Sequence, residues 1–466
     1  MNLFELLDVT ARRSPDKAAF IEGDAAVSYG ELLRQVQDMA SQLRTLGWKP
    51  GCRVGLWYPN SVSYVVLTYA LWRVDAAVIP LPTECTTDEI LDIAKTMQLE
   101  AIVGHKPFGE AHKIAAGCFH TRLNPEIPPD NHGVNIAFVR FTSGTTSARK
   151  GVALSHESIR DRIASANKAF RIGPDDVVMW CLPMAHHFLI TIVLYMSVGA
   201  TVVLARHVLA RPYLEAVNRW KGTILYAAPF HFSLLARDAS GLGIPSVRLS
   251  VSTTCAMPQD VADDFFKRFD RPLVNALGII EVGLACLNTD DPRGRWNAVG
   301  RPAGDFKVRI LEPDKEGYGD VALKGPGMLD AYAAPWMPRD EILRDGWFIT
   351  GDIGRIDADG FLFLAGRKTA VINLAGRKVF PEEIEAVINR HPDVRESRVY
   401  GRTHAQLGEV VEAEVVLARP DADPEAIRAF CRENLASYKN PAQLLVVSAL
   451  PRTVATGKIR RDVKSS

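Results

Sequence analysis

From Ser28 to Gly51 the apolar residues Leu32, Leu33, Val36, Met39 and Leu43 recur at helical spacing. Ser28 with Glu31 forms a capping box ahead of them, and Gly47 and Pro50 end the pattern, so an amphipathic helix is predicted. Three further segments come next: "RVGLWYP" as a strand, "SVSYVVLTYALWRVDA" as a largely buried helix and "AAVIPLP" as another strand. Such alternation is the rhythm of a wound, mostly parallel sheet covered by helices. Between Phe188 and Ala205 lie 18 residues without a charge, about the minimum that spans a bilayer. Gly199 interrupts this run and β-branched "ATVVLA" succeeds it, which predicts a buried helix and then a buried strand. No membrane span is expected. Toward the C-terminus the texture changes. "FPEEIEAVINRHPDV" predicts a short helix starting near Pro381, and "EVVEAEVVLA" alternates like a half-exposed strand. The expected fold class is α/β: a large N-terminal domain of wound, mostly parallel sheets with helices, residues 1–366, plus a small C-terminal α+β domain, residues 367–466. The join falls at or just after Arg367 in "LAGRKTAV".

A length of 466 residues with 47% hydrophobic positions suits about two to three globular domains. Fifty-five basic residues face 54 acidic ones, a net charge of +1, so no global field draws in nucleic acid or an anionic membrane. Any anion must be caught locally. The seven cysteines are scattered without a C-x-x-C pair, which argues against a zinc cluster or a secreted disulfide scaffold and fits a reducing cytoplasm. The opening "MNLFELLDVTARR" has no cationic stretch before a long apolar core, so no export signal is expected.

One loop offers that local capture. "FTSGTTSARKG", Phe141 to Gly151, sets hydroxyls and bare backbone amides beside Arg149 and Lys150, a set that suits a polyphosphate. It is not a Walker A loop: counting from Gly144, the sixth position is Arg149 and Gly151 comes after the lysine. "ATGKIRR" fails the same pattern because Ile459 is next to Lys458. Taken alone, the loop leaves a solvated surface turn as the lesser alternative.

It is accompanied, in order, by "LPMAHHF", "LGIIE", "GWFITGDIGRIDADGFLFLAGRKTAVINLAGRKVFPEEIE" and "LPRTVATGKIRR". The series resembles the adenylate-forming superfamily of acyl-CoA synthetases, nonribosomal peptide adenylation domains and luciferases, and it spans nearly the whole chain. The resemblance implies a two-step ligase. A carboxylate attacks the α-phosphate of ATP to give an acyl-adenylate and pyrophosphate, and a thiol then captures the acyl group. It implies that Thr142, Ser143, Gly144, Thr145 and Thr146 cradle phosphates with Lys150 as counter-charge, that Glu281 holds Mg²⁺, and that Asp352 and Arg367 hold ribose or phosphate. Lys458 corresponds to a lysine on a mobile C-terminal loop that reaches the α-phosphate, so Lys458, Glu281 and Thr145 are the expected catalytic residues. The small domain is implied to rotate about the hinge, bringing Gly376 to line a thiol tunnel where a bare backbone lets the pantetheine arm pass.

Several positions depart from the family pattern. Leu277 and Ile280 stand where a Tyr and a Thr are usual, Thr253 and Thr254 replace a glycine-rich adenine-side loop, and Thr369 lies where Asp or Lys is common at the hinge. Amino-acid-activating relatives carry an Asp in the segment equivalent to "AHHFLIT", but no acid occurs between Asp176 and Glu215 here. An α-ammonium would be buried without a counter-charge, so an amino acid is disfavoured. The substrate pocket is assigned to His186, His187, Phe188, Leu277 and Gly278, with an apolar lining that suits a fatty, short-chain or aryl acid. His186 is a gate between pocket and tunnel or a satisfied core histidine. The acceptor is CoA or the phosphopantetheine of an acyl carrier protein, and the protein is a monomer or homodimer. A non-catalytic nucleotide-binding protein of the same fold is the further alternative.

Overall fold

The structure is a computed structural model. It describes residues 2–125, 129–141, 150–205, 209–374, 377–404, 408–452 and 459. Contacts divide the chain into two compact units. The larger takes in residues 2–141, 150–308 and 323–348; the smaller contains 309–322 and residues from 349 onward.

Two nine-stranded sheets build the large unit. In the first, Val274–Ile279, Leu249–Ser252, Ile224–Ala227, Val177–Trp180, Thr201–Leu204 and Ala18–Glu22 run parallel in that order, with antiparallel strands added at both edges. The four inner strands from Leu249–Ser252 to Thr201–Leu204 are buried almost throughout, as strands covered on both faces must be. The second sheet has a parallel centre of Ala101–Gly104, Arg53–Trp57, Ala77–Pro80 and Ile136–Phe141, continued antiparallel by Gly151–Ser155 and Ala331–Ala333.

The expected elements appear where the apolar pattern placed them. Helix Tyr29–Arg44 begins at Ser28, whose hydroxyl accepts from the Glu31 amide at 3.2 Å, and buries Leu32, Val36, Ala40 and Leu43. The charge-free run after Phe188 resolves into helix Ile192–Val198, Gly199 in the left-handed region (φ 82°) and strand Thr201–Leu204. Glycine ends that helix because the conformation is costly for a residue with a Cβ. Among the described residues no helix is long and apolar enough to cross a membrane.

The smaller unit contains a four-stranded sheet ending in Phe348–Ile356 and Leu362–Arg367, and a second sheet in which Val394–His404 pairs with Gly408–Leu417. Helix Pro381–Ile388 buries Ile384 and Ile388 against Val399, Ala413 and Val415.

One buried cation in the large unit ties a helix to two distant turns. Helix His156–Phe170 carries Arg162, which is 0% exposed. Its Nε donates to the Gly327 carbonyl at 2.7 Å and Nη1 to the Ile280 carbonyl at 2.9 Å. Gly327 is required there: it has φ 64°, and a Cβ would fall 2.0 Å from the Ser158 carbonyl. Arg162→Met should destabilise the large unit by about 3 kcal/mol, since two buried carbonyls lose a charged donor. All eight tryptophans lie in that unit, so urea unfolding monitored by tryptophan fluorescence reads it alone. A loss below about 1 kcal/mol, the net worth of one ordinary hydrogen bond, would refute this role.

Candidate active site

The hairpin strands Ile136–Phe141 and Gly151–Ser155 pair with Phe141 opposite Gly151, so the two ends of the intervening loop are held side by side. Thr142, Ser143, Gly144, Thr145 and Thr146 lie outside the described residues, as do Gly376 and Lys458. Lys150 is described and exposed. Its Nζ stands 4.7 Å from the centroid of the Tyr332 ring, within cation–π range. Tyr332 belongs to Ala331–Ala333, which pairs with the hairpin so that Tyr332 faces Val152.

The Tyr332 hydroxyl lies 3.4 Å from Glu281 Oε1, donating across a long hydrogen bond. Burial, reinforced by the adjoining Glu281 carboxylate, pushes the phenol pKa up, so this hydroxyl remains a donor. Glu281 is 8% exposed on the turn between Val274–Ile279 and Gly283–Leu287. The Leu329 amide donates to its carbonyl at 2.7 Å, and Arg162 secures the preceding carbonyl. Lys150, Tyr332 and Glu281 therefore form one assembly at the mouth of the hairpin loop. Among the described residues no group of three His, Cys, Asp or Glu side chains gathers as a metal cage. A single carboxylate fits Mg²⁺ all the same, because that ion keeps waters and substrate phosphates as its other ligands.

Leu277 and Gly278 lie near the end of strand Val274–Ile279, with a register shift between them. Leu277 is half-buried, and a Cβ on Gly278 would meet only the Gly283 carbonyl at 3.8 Å, leaving that face open. His186 and His187 close the short helix Met184–His187, both half-buried. Asn60 holds this turn by accepting from the Met184 amide at 2.7 Å and donating to the Leu182 carbonyl at 2.8 Å. The His187 ring meets Trp180 edge-on at 6.4 Å, and Trp180 stacks on Tyr226 at 5.8 Å. Phe188 is placed differently. It is 1% exposed, packed on Tyr64, Tyr69 and Trp72, and so anchors the segment in the core.

After strand Leu249–Ser252, Thr253 shares a hydrogen bond with the Tyr226 hydroxyl. Thr254 then adopts φ 82°, a left-handed conformation that strains a β-branched residue. The turn ordinarily made by glycine is thus made here by threonine.

In the smaller unit, Asp352 and Arg367 pair directly across adjacent strands. Arg367 Nε contacts Asp352 Oδ1 at 2.9 Å, while its Nη1 donates to the Thr350 carbonyl at 2.9 Å. The Asp352 amide donates to the Thr350 hydroxyl at 3.0 Å, and that hydroxyl donates to Val321 O at 3.1 Å. The carboxylate is thereby fixed on a rigid ladder, with Asp352 12% and Arg367 58% exposed at their side chains. Directly after Arg367, Lys368–Ala370 form a single 3₁₀ turn, and Lys368 pairs with Asp320 at 2.7 Å. Arg452 bridges to Ile459, so the two flanks of the segment carrying Lys458 are adjacent.

Sequence reasoning missed Arg162 and Tyr332. Neither belongs to a recognisable motif, and each acts on a residue more than 50 positions away. All seven cysteines are free.

The family model described as AMP-binding enzyme matches residues 7–333, and the one described as AMP-binding enzyme C-terminal domain matches residues 383–458. Oxalate–CoA ligase of Arabidopsis thaliana is 28% identical over 500 residues, covering 98% of this chain and 97% of that protein. 2-Succinylbenzoate–CoA ligase of Bacillus licheniformis is 28% identical over 470 residues, covering 97% of each. A long-chain-fatty-acid–CoA ligase of Yersinia pestis is 25% identical over 529 residues, covering 99% of this chain and 94% of that protein. The fold is similar to that of o-succinylbenzoate CoA synthetase from Bacillus subtilis with its acyl-adenylate intermediate, at TM-score 0.86 and 23% identity over 99% of this chain and 97% of that one. It is similar also to ATP-bound MatB from Rhodopseudomonas palustris, at TM-score 0.84 and 24% identity, with 99% and 97% covered. These matches extend through both units, and the chain belongs to the AMP-binding enzyme family, as an acid–thiol ligase.

Proposed function

We propose that the protein joins a carboxylic acid to CoA through an acyl-adenylate. A carboxylate oxygen attacks the α-phosphorus of ATP as the bond to pyrophosphate breaks; the CoA thiolate then attacks the acyl carbonyl and AMP leaves. The observation that carries this reading is the Lys150–Tyr332–Glu281 assembly beside the hairpin loop, where two anions must be brought together.

In this scheme Thr142, Ser143, Gly144, Thr145 and Thr146 hold the phosphates and Lys150 supplies counter-charge. Glu281 holds Mg²⁺, which when bound neutralises phosphate charge. Asp352 accepts from the ribose hydroxyls, and Arg367 both orients Asp352 and contacts the nucleotide. Lys458 serves adenylation and Gly376 the passage of the thiol arm. His186 and His187 border the acid, with Leu277 and Gly278 on the opposite wall and Phe188 seating the segment from the core. Residues 1–366 and 367–466 are taken as functional domains hinged just after Arg367. The Lys368–Asp320 pair is then a restraint beside Thr369, the position where Asp or Lys is usual.

The named relatives are ligases of a short diacid, an aryl acid and a long-chain acid, and all three use CoA. This supports CoA ahead of a carrier protein as acceptor. Seven free thiols support a reducing compartment.

Incubation with ATP and a panel of carboxylic acids should release pyrophosphate only when the right acid is present, and added CoA should then yield a thioester. ATP untouched with every acid would favour a non-catalytic nucleotide-binding protein. Lys458→Ala should abolish adenylation yet leave thioester formation from a supplied acyl-adenylate; normal adenylation by this variant would remove Lys458 from the mechanism. Asp352→Asn should raise the KM for ATP by about tenfold or more through the lost charged acceptor. An unchanged KM would leave the Asp352–Arg367 pair a purely structural one.

A further inference from the structure

Arg140 is a cation that the adenylation and thiol-transfer steps do not use. It is the penultimate residue of Ile136–Phe141, opposite Val152 and directly ahead of the phosphate loop. Its neighbour Val139 packs in the core with Met97 and Ala153, so alternation along the strand turns Arg140 to the other face. There its charged and titratable neighbours are Glu281, Tyr64 and Tyr226. Burial lowers its pKa to about 10, which leaves it charged at neutral pH.

The polar groups on this face are short of acceptors. Arg140 Nε is buried without a hydrogen-bond partner among the described residues. The same holds for the hydroxyl of Tyr64, which is 0% exposed, and for the indole N–H of Trp180, whose ring stacks on Tyr226. Tyr64 and Trp180 also contact Phe188 and His187, the segment assigned to the acid. Buried donors without acceptors are expensive, and an anion's oxygens satisfy them.

We propose that Arg140, assisted by Tyr64, is the subsite for a second anionic group on the acid, so that the substrate is a diacid or a sulfonate-bearing acid. This rests on the ligase reading and narrows it. The reacting carboxylate does not meet the need, because it becomes a mixed anhydride and loses its charge as the adenylate forms. Glu281 is committed to the metal ion. A half-buried guanidinium whose Nε lacks an acceptor among the described residues is best matched by a partner that stays anionic through both half-reactions, and its planar fork suits a carboxylate or sulfonate.

The test is pyrophosphate release with monoacid and diacid pairs matched in carbon skeleton, such as butyrate with succinate and 2-methylbenzoate with phthalate, reading kcat/KM for each and the KM for ATP. The best diacid should exceed its monoacid by about 100-fold, the scale of a buried charge pair. Arg140→Met should bring that ratio near one with the KM for ATP unchanged, and Arg140→Lys should keep part of it. Should Arg140→Met fail to fold, as judged by its thermal midpoint, Tyr64→Phe must lower the ratio while keeping the aromatic packing. A wild-type ratio near one, or equal losses on both acids in the variants, overturns the subsite and leaves the ligase standing. No acid-dependent release with any acid overturns the ligase reading itself.

Discussion

The Arg162 guanidinium bridges the carbonyls of Ile280 and Gly327, and the chemistry of the large unit is arranged around that bridge. It fixes the turn presenting Glu281 to the stretch that leads into Tyr332. Tyr332 in turn reaches Glu281 with its hydroxyl and supports Lys150 with its ring. Helix, turn, strand and hairpin are thereby locked in one register. For a carboxylate proposed to hold a cation, such immobility is a gain, since reorganisation then adds nothing to the barrier.

A protein of net charge +1 that brings a carboxylate onto a triphosphate has to solve the electrostatics locally. The solution here is a small number of cations with distinct surroundings. Lys150 is exposed and cushioned by an aromatic face. Arg162 is sealed away as a brace, with Asp330 and Glu281 opposing the loss of charge that burial imposes. Arg140 lies between these extremes, flanked by phenols, and its need for a lasting anionic partner bears on what the enzyme can accept. Asp352 and Arg367 obey a different logic. Their pairing on adjacent strands keeps a carboxylate oriented without removing it from solvent entirely.

Much of this was legible in the residue pattern. Ser28 and the spacing from Leu32 to Leu43 announced the first long amphipathic helix, and Gly199 announced the break within the charge-free run. The ordered motifs pointed to Glu281, Asp352 and Arg367, and the structure gives Asp352 and Arg367 a direct pair and Glu281 a contact with Tyr332. What the pattern hid depends on contacts between distant segments. Arg162 meets its acceptors 118 and 165 positions away, and Tyr332 meets Glu281 across 51. Neither carries a local signature. The acid pocket looked simply apolar because Arg140 precedes the loop as one charge among 55 basic residues; only the strand's alternation against Val139 turns it inward. Thr254 illustrates another limit: composition suggested an uncertain path, yet the backbone takes the glycine-like route at a steric cost. Phe188 shows the reverse, a motif residue whose place is in the core.

The most direct test of this account is a crystal structure with ATP and Mg²⁺ bound. The account predicts the ion at about 2.1 Å from a Glu281 carboxylate oxygen, with the triphosphate against residues 142–149 and Tyr332 still in contact with Glu281. A triphosphate bound elsewhere, with no ion on Glu281, would contradict it.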